Sequence, residues 1–102
     1  MTEPLDDEAL LRVALRAAGH VHALRVPEQC VLLDLRSERY LLLDDVAADM
    51  WDAILAAPTV GAALDALELQ YEVAREELSR DLLALVRRLL DRQLVEVVAA
   101  DE

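Results

Sequence analysis

The sequence lacks several residue types on which common functional sites depend. It has no lysine, no phenylalanine and only two glycines, Gly19 and Gly61. Neither glycine lies in a glycine-rich run, which excludes a phosphate-binding loop of the usual kind. The single cysteine, Cys30, cannot form a disulfide within the chain and is typical of a reducing compartment.

Positive charge is also scarce. Ten arginines and 21 acidic residues give a formal net charge of −11 over 102 residues. Nucleic acids are bound mainly through clustered Lys and Arg, so we expect no nucleic-acid partner. Residues 1–8 are acidic where a secretory signal is basic. No apolar run approaches the roughly 20 residues of a membrane span. These absences predict a cytoplasmic protein that does not engage a membrane.

What remains is rich in aliphatic residues, and their spacing predicts one small domain. The apolar share is 56%, and the only aromatic residues are Tyr40, Trp51 and Tyr71. Changes of hydrophobic period predict the order of elements. The expected segments are a helix over Leu5–Ala18, strands over Val21–Val26, Val31–Arg36 and Arg39–Leu43, helices starting at Asp44, Thr59 and about Arg75, and a short strand or tail over Leu94–Val98.

The second hairpin has two plausible registers, and the apolar pattern favours a three-residue loop over Arg36–Glu38. That choice pairs Leu33 with Leu41 and Val31 with Leu43, which gathers the leucines on one face. It requires a left-handed backbone at Glu38, at a cost of about 1–2 kcal/mol. The other face still carries Leu32, Tyr40 and Leu42, and we expect the N-terminal helix to cover it.

The last helix, Arg75–Arg92, is apolar over an unusually wide arc. Leu78, Leu82, Leu85 and Leu89 form one stripe, and Leu83, Val86 and Leu90 form a second beside it. The second stripe is either more core or the wall of a groove. If the strands are ordered as in the chain, Arg39–Leu43 lies at a sheet edge, where an added peptide strand can pair.

The catalytic and metal alternatives have little support. His20, His22 and Cys30 are the residues from which a three-ligand zinc site would be built. Cys30 could also be read as a nucleophile, but no small residues flank it to shape an oxyanion site. We therefore expect neither an enzyme nor a bound metal or cofactor.

Several segments, taken in order, resemble PqqD-like domains. Residues Val31–Asp44 are similar to the strand–turn–strand of that family, and Leu43-Asp44 stands where a Leu-Asn step opens the first helix. Trp51 matches a bulky position of that helix, and residues 71–82 resemble the link into the last helix. Glu38, Ala74 and Gln93 depart from the usual turn glycine, helix cap and helix-ending glycine.

The resemblance implies an α+β winged helix-turn-helix fold with three antiparallel strands followed by three helices. It divides the chain into an N-terminal extension over residues 1–19, the PqqD-like domain over 20–98 and a tail over 99–102. It also implies a recognition element for ribosomally synthesised, post-translationally modified peptides, which binds the leader of a precursor as an extra strand. Carried over by position, the peptide-binding residues are Arg39, Tyr40, Leu41, Leu42 and Leu43 on the strand and Leu82, Leu85, Val86 and Leu89 on the helix.

Which helix stripe faces the groove stays open, and so does the enzyme partner. Stand-alone elements of this kind commonly serve lasso-peptide pathways, with a papain-like leader peptidase as the partner beside an ATP-dependent cyclase. The alternatives are a peptide chaperone for a radical enzyme, as in quinone-cofactor biosynthesis, and a structural or winged-helix adaptor without peptide binding.

Overall fold

The computed structural model describes residues 6–98, so expectations for residues 1–5 and 99–102 lie outside the described residues. The elements are, in chain order, α1 (Asp7–Leu11), β1 (Ala14–Ala17), β2 (Val21–Val26), β3 (Gln29–Asp34), β4 (Arg39–Leu43), α2 (Asp45–Ala56), α3 (Val60–Gln70), α4 (Arg75–Asp91) and β5 (Val95–Val98).

The N-terminal segment differs from the single helix that the sequence predicted. The helix ends at Leu11, and β1 then pairs antiparallel with β5. Leu15 becomes buried in this two-stranded ribbon, with 5% of its surface exposed. A helix through residues 14–17 would leave β5 without a partner strand, so the long-range pairing outweighs the local helical period.

The short helix α1 packs on α3 rather than on the sheet. Gly61 permits this contact, because a Cβ there would lie 2.9 Å from the carbonyl oxygen of Leu11. Leu10 is buried, and the N–H of Val60 donates to the carbonyl of Val13 over 2.9 Å. Residues 6–18 therefore share the core of the following elements, and the expectation that they cover the outer sheet face is wrong.

The main sheet has three antiparallel strands in the order β2-β3-β4. The predicted register of the β3–β4 hairpin is wrong by one residue, because Asp34 pairs with Arg39, Leu32 with Leu41 and Cys30 with Leu43. The turn therefore has four residues, 35–38. The inner face, which packs on the helices, carries Cys30, Leu32, Asp34, Leu41 and Leu43.

Asp34 explains this register. Its carboxylate accepts the backbone N–H of Arg36 at 2.9 Å and of Ser37 at 3.3 Å. Its carbonyl accepts the N–H of Glu38 at 2.8 Å. These bonds hold the turn in place of a shorter one. The left-handed backbone expected at Glu38 is confirmed, with φ of 61°.

The helix starts follow the predicted caps. Asp44 accepts the N–H of Ala47 at 2.9 Å, and Thr59 accepts that of Ala62 at 3.1 Å. Ala74 provides no side-chain cap for α4, as expected. Beyond α4, Gln93 adopts φ of 60° where a glycine is usual.

Contacts between helices and sheet fix the position of α2. Arg25 of β2 bonds to Asp52 at 2.7 Å and to Asp49 at 3.2 Å. Tyr71, just after α3, donates to the same Asp49, and this bond raises the pKa of Tyr71 to about 12. The side of β2 that carries Arg25 therefore faces α2, and the opposite side of the sheet faces away from it.

The predicted fold class is confirmed: the chain is α+β, with a three-stranded antiparallel sheet followed by three helices and a helix near the N-terminus. Within residues 6–98, no helix combines the length and the apolar character needed to cross a bilayer.

Candidate functional site

The open edge of the sheet is strand β4, which pairs with β3 on one side only among the described residues. On the other edge of β3, the N–H of Leu35 donates to the backbone carbonyl of His20, just before β2, over 2.8 Å. The N–H and C=O groups of successive residues in a strand point to alternate sides. Odd-numbered residues of β3 therefore point these groups toward β2, and even-numbered residues point them toward β4. Their partners are Arg39, Leu41 and Leu43. The backbone N–H and C=O groups of Tyr40 and Leu42 therefore point outward from the sheet edge.

Two hollows flank this strand. The first, which we call the polar hollow, has a volume of about 540 Å³ and joins the start of β4 to the end of α4. Its lining includes Leu32, Asp34, Arg36, Ser37, Arg39, Tyr40, Leu41, Asp91, Arg92 and Leu94. The second, the apolar hollow, has a volume of about 450 Å³ and lies between the start of α2 and the middle of α4, beside Asp44, which directly follows β4. Its lining includes Asp44, Val46, Ala47, Met50, Asp81, Ala84, Leu85 and Arg88.

The polar hollow includes the first residues of β4, and the apolar hollow includes Asp44, just after the strand, so the two lie toward opposite ends of β4. We call the surface that runs between them the groove. The start of β4 lies near the end of α4, so the strand and the helix run in opposite directions along it. On the helix, the lining residues recur at spacings of three and four, which places them on one face.

The predicted helix residues differ in their exposure. Leu82, Val86 and Leu89 have no exposed surface and lie in the core, behind the wall. Leu85 lines the apolar hollow and retains 8% exposure. The second stripe is thus mostly core, since Leu83 is buried as well.

Sequence reasoning did not single out Ala84, which lies between the leucines and lines the apolar hollow. The signal was present in the sequence: Ala84 is a small residue on a face that also carries Leu85 and the charged Asp81, Arg88 and Asp91. A small residue among charged ones on a helix leaves space in which another chain can approach. The stripe of leucines drew attention to the core side of the same helix.

The predicted strand residues point their side chains to two different faces of the sheet. Leu41 and Leu43 point their side chains into the core, with 5% and 2% exposure. Tyr40 and Leu42 are exposed on the other face of the sheet. Arg39 is exposed and lines the polar hollow.

A hydrogen-bonded cluster closes the polar end of the groove. His20 Nε2 donates to the carbonyl of Gln93 at 2.9 Å and lies 3.8 Å from Asp34 Oδ1. Arg36 donates to Gln93 Oε1 at 2.7 Å. Burial raises the pKa of Asp34, but the bonds from Arg36 and Ser37 and the nearby His20 outweigh it, so the pKa is lowered below its ordinary value. Asp34 is therefore a charged anchor between the hairpin turn and the end of α4.

The residues of the weighed zinc site do not converge. Cys30 lies on the inner face of the sheet, whereas His22 pairs with Leu33 on the outer face. Cys30 is 1% exposed, and burial raises the pKa of its thiol, which disfavours the nucleophilic thiolate. Within residues 6–98, no group of three or more His, Cys, Asp or Glu side chains is arranged to hold a metal ion.

Comparison with known families identifies the domain. The profile of the family described as "Coenzyme PQQ synthesis protein D (PqqD)" matches residues 29–95, which span β3 through the start of β5. The chain belongs to the PqqD family. The resemblance inferred from Val31–Asp44 and the later segments is thereby confirmed.

Two solved structures are similar to this PqqD-family chain over nearly their whole lengths. One is titled "TbiB1 in Complex with the TbiA(beta) Leader Peptide", with 27% identity, a TM-score of 0.74 and coverage of 83% of this chain and 99% of that one. The other is titled "Lasso peptide synthetase B1 complexed with the leader peptide", with 29% identity, a TM-score of 0.72 and coverage of 80% and 96%. No curated protein matches this PqqD-family chain.

The charge on Asp34 gives a pH-dependent prediction. Since its pKa in the fold lies below the ordinary value of 3.8, the ionised form stabilises the fold above that pH, and the contribution is lost as pH falls through the lowered pKa. Asp34→Asn should therefore lower the free energy of unfolding at pH 7, and the difference from wild type should shrink in acid.

Urea unfolding at pH 7 and at about pH 3 measures this difference. Glu28→Gln, in the exposed β2–β3 turn, controls for the loss of one negative charge. A destabilisation by Asp34→Asn that stays the same at both pH values would contradict the role given to the carboxylate.

Proposed function

We propose that this protein binds the leader region of a ribosomally made precursor peptide as an added strand on β4. It then presents that leader to a tailoring enzyme, the papain-like leader peptidase of a lasso-peptide pathway. The observation that carries the proposal is the outward-facing backbone of Tyr40 and Leu42 beside the groove. The two similar structures, both titled as leader-peptide complexes, support it.

The strand edge supplies register more than affinity. Tyr40 and Leu42 offer two N–H donors and two C=O acceptors, so a guest strand forms about four bonds worth roughly 0.5–1.5 kcal/mol each. Ordering a flexible leader costs about 2–5 kcal/mol or more, which offsets most of that gain. The remaining affinity must come from leader side chains that enter the groove.

The two ends of the groove suit different side chains. Val46, Ala47, Met50, Ala84 and Leu85 make the apolar hollow a place for an aliphatic or aromatic anchor. Burial of one such anchor contributes about 1.5–3 kcal/mol. At the polar hollow, Arg36, Arg39 and Arg92 outnumber the acidic Asp34 and Asp91, which favours a polar or acidic leader residue there.

The role is binding rather than catalysis. Holding the leader and the enzyme together raises the local concentration of precursor at the enzyme, which accelerates processing without any new chemistry. We place this function in the cytoplasm, with no metal or cofactor and no nucleic acid. The net charge of −11 opposes binding to DNA despite the winged-helix arrangement.

A second candidate is the presentation of a precursor to a radical enzyme, which the family's description as a coenzyme PQQ synthesis protein favours. Neighbouring genes distinguish the two functions. A short precursor gene beside a papain-like peptidase and a cyclase supports the lasso pathway, whereas a radical enzyme in that place supports the alternative.

Strand addition is tested by removing one outward N–H. Proline at position 42 eliminates that donor and leaves the β3–β4 pairing intact, because edge strands tolerate proline where the N–H faces solvent. Leu42→Pro should weaken leader binding by at least about tenfold, since it also prevents close approach of the guest backbone. Fluorescence anisotropy with the labelled leader of the neighbouring precursor gene measures the affinity.

Leu42→Ala is the matched control, because it shortens the same side chain and keeps the N–H. It should bind leader within about threefold of wild type, a change of well under 1.4 kcal/mol. Both variants should keep a cooperative thermal transition. Equal leader affinity for the proline and alanine variants would rule out pairing at this position.

The helical wall is tested at Ala84, which is exposed and lines the apolar hollow. Ala84→Glu places a charge in the hollow without burying it in the core, and Glu is a good helix former. We expect at least about a tenfold loss of leader affinity, because the charge displaces an apolar anchor. Ala66→Glu, at an exposed position of α3, is the control and should bind normally. Normal leader binding by Ala84→Glu would remove α4 from the site.

A further inference from the structure

The side of the main sheet opposite the helices is apolar and uncovered. Its members are the side chains that alternate with the inner-face residues along each strand. They are His22, Leu24 and Val26 of β2, Gln29, Val31 and Leu33 of β3, and Tyr40 and Leu42 of β4, and we call this set the outer face. No element among residues 6–98 packs on it, since α1 lies on α3 and α2 lies on the inner side.

The outer face is mainly apolar, whereas the water-facing side of a sheet is usually polar. It carries no acidic or arginine side chain, although 30% of the chain is charged. Tyr40, Leu24 and Leu42 expose 67%, 56% and 50% of their surfaces. An antiparallel sheet with one face in water normally alternates apolar and polar residues, and contiguous exposed apolar residues mark an interaction surface.

The outer face is continuous with the proposed leader site. Tyr40 and Leu42 direct their backbone groups to the open edge and their side chains to the outer face. In a strand added to β4, the residues opposite these two point to the same face. A bound leader would therefore add a fourth row of side chains to this surface, and a partner docked there would touch protein and leader together.

We infer that the outer face, extended by the bound leader, is the docking surface for the enzyme that processes the leader. This inference rests on the proposed function. The enzyme presents an apolar patch bordered by basic residues. It binds the loaded protein more tightly than the empty one, and the same factor tightens leader binding when the enzyme is present.

Charge favours this partner over a second copy of the chain. Glu28 lies in the turn at one end of the sheet, and Asp44 and Asp45 follow β4 at the same end. A second copy would bring another net charge of −11 to that acidic border. The acidic border repels a second copy, whereas it attracts a partner that has basic residues at that position.

The size of the surface points the same way. Three strands of about five residues span roughly 15 Å by 17 Å, or about 250 Å², given the strand spacing and rise. A stable interface covers about 800 Å² on each partner. The outer face alone is too small for a stable homodimer. A guest strand on β4 would widen it by about a third, so a partner that also contacts the leader gains area that a second copy of the empty protein lacks.

The test uses the full chain with Leu24→Arg on the outer face. Leu24 lies on β2, two strands from the open edge, so its replacement leaves the leader site intact. Leu69→Arg is the matched control, because Leu69 is 90% exposed on α3 and receives the same charge. The probes are the labelled leader and the papain-like peptidase encoded beside the chain, with its catalytic cysteine replaced by alanine so that it binds without cleaving.

Leader affinity is measured by anisotropy, and peptidase affinity for the leader-loaded protein by calorimetry, together with thermal melting. We expect Leu24→Arg to keep the melting temperature and to bind leader within about twofold, yet to lose at least about tenfold in peptidase affinity. Leu69→Arg should match wild type in all three. Leu33→Arg, on β3, is the second outer-face variant if Leu24→Arg melts early.

Peptidase affinity that is unchanged by outer-face arginines, with leader still bound, would overturn the docking surface and leave the leader site standing. Failure of the wild-type protein to bind leader would instead overturn the proposed function. Self-association of the wild type by sedimentation, abolished by Leu24→Arg, would assign the outer face to a second copy and contradict the inference.

Discussion

The turn held by Asp34 determines the geometry on which the proposed binding edge depends. Its carboxylate and carbonyl accept three backbone N–H groups from Arg36, Ser37 and Glu38. That turn sets which residues of β4 face β3, and a shift of one residue would exchange the two sets. With the observed register, the backbone N–H and C=O groups of Tyr40 and Leu42 point away from β3, while Leu41 and Leu43 anchor the strand in the core.

The same register gives β4 one side that is packed in the fold and one side that is open. The strand is held by buried leucines on its inner face and by pairing on one edge, and within residues 6–98 its other edge and its outer face are uncovered. Open edges invite aggregation, and natural proteins usually protect them. The high negative charge keeps copies of this chain apart without blocking the edge itself. An unprotected edge in such a chain is consistent with a site that exchanges partners.

Much of the fold followed from local signals in the sequence. The caps at Asp44 and Thr59 and the left-handed Glu38 were predicted from single residues whose physical roles are well defined. The register was missed because apolar pairing was weighed without the turn-forming capacity of Asp34. The strand Ala14–Ala17 was missed because its partner lies about 80 residues away, and no local period reveals such a pairing.

The sequence also indicated only part of the candidate site. The edge strand was predictable from its place in the chain, and the family could be inferred from the order of segments around Val31–Asp44. The division of α4 into a core side and an open side was not, because periodicity alone left open which of its two apolar stripes faces a groove. Burial assigns them to the core and leaves Ala84 and Leu85 on the groove. Periodicity identifies the buried side of a helix more reliably than the side that meets a ligand.

Amide hydrogen exchange measured by NMR, with and without leader, tests the central claim most directly. We predict that the amides of Tyr40 and Leu42 exchange rapidly in the free protein and become protected when leader is added, while those of Leu41 and Leu43 are protected throughout. Leader binding that leaves the Tyr40 and Leu42 amides unprotected would contradict strand addition on β4, as would protection of both amides already present in the free protein.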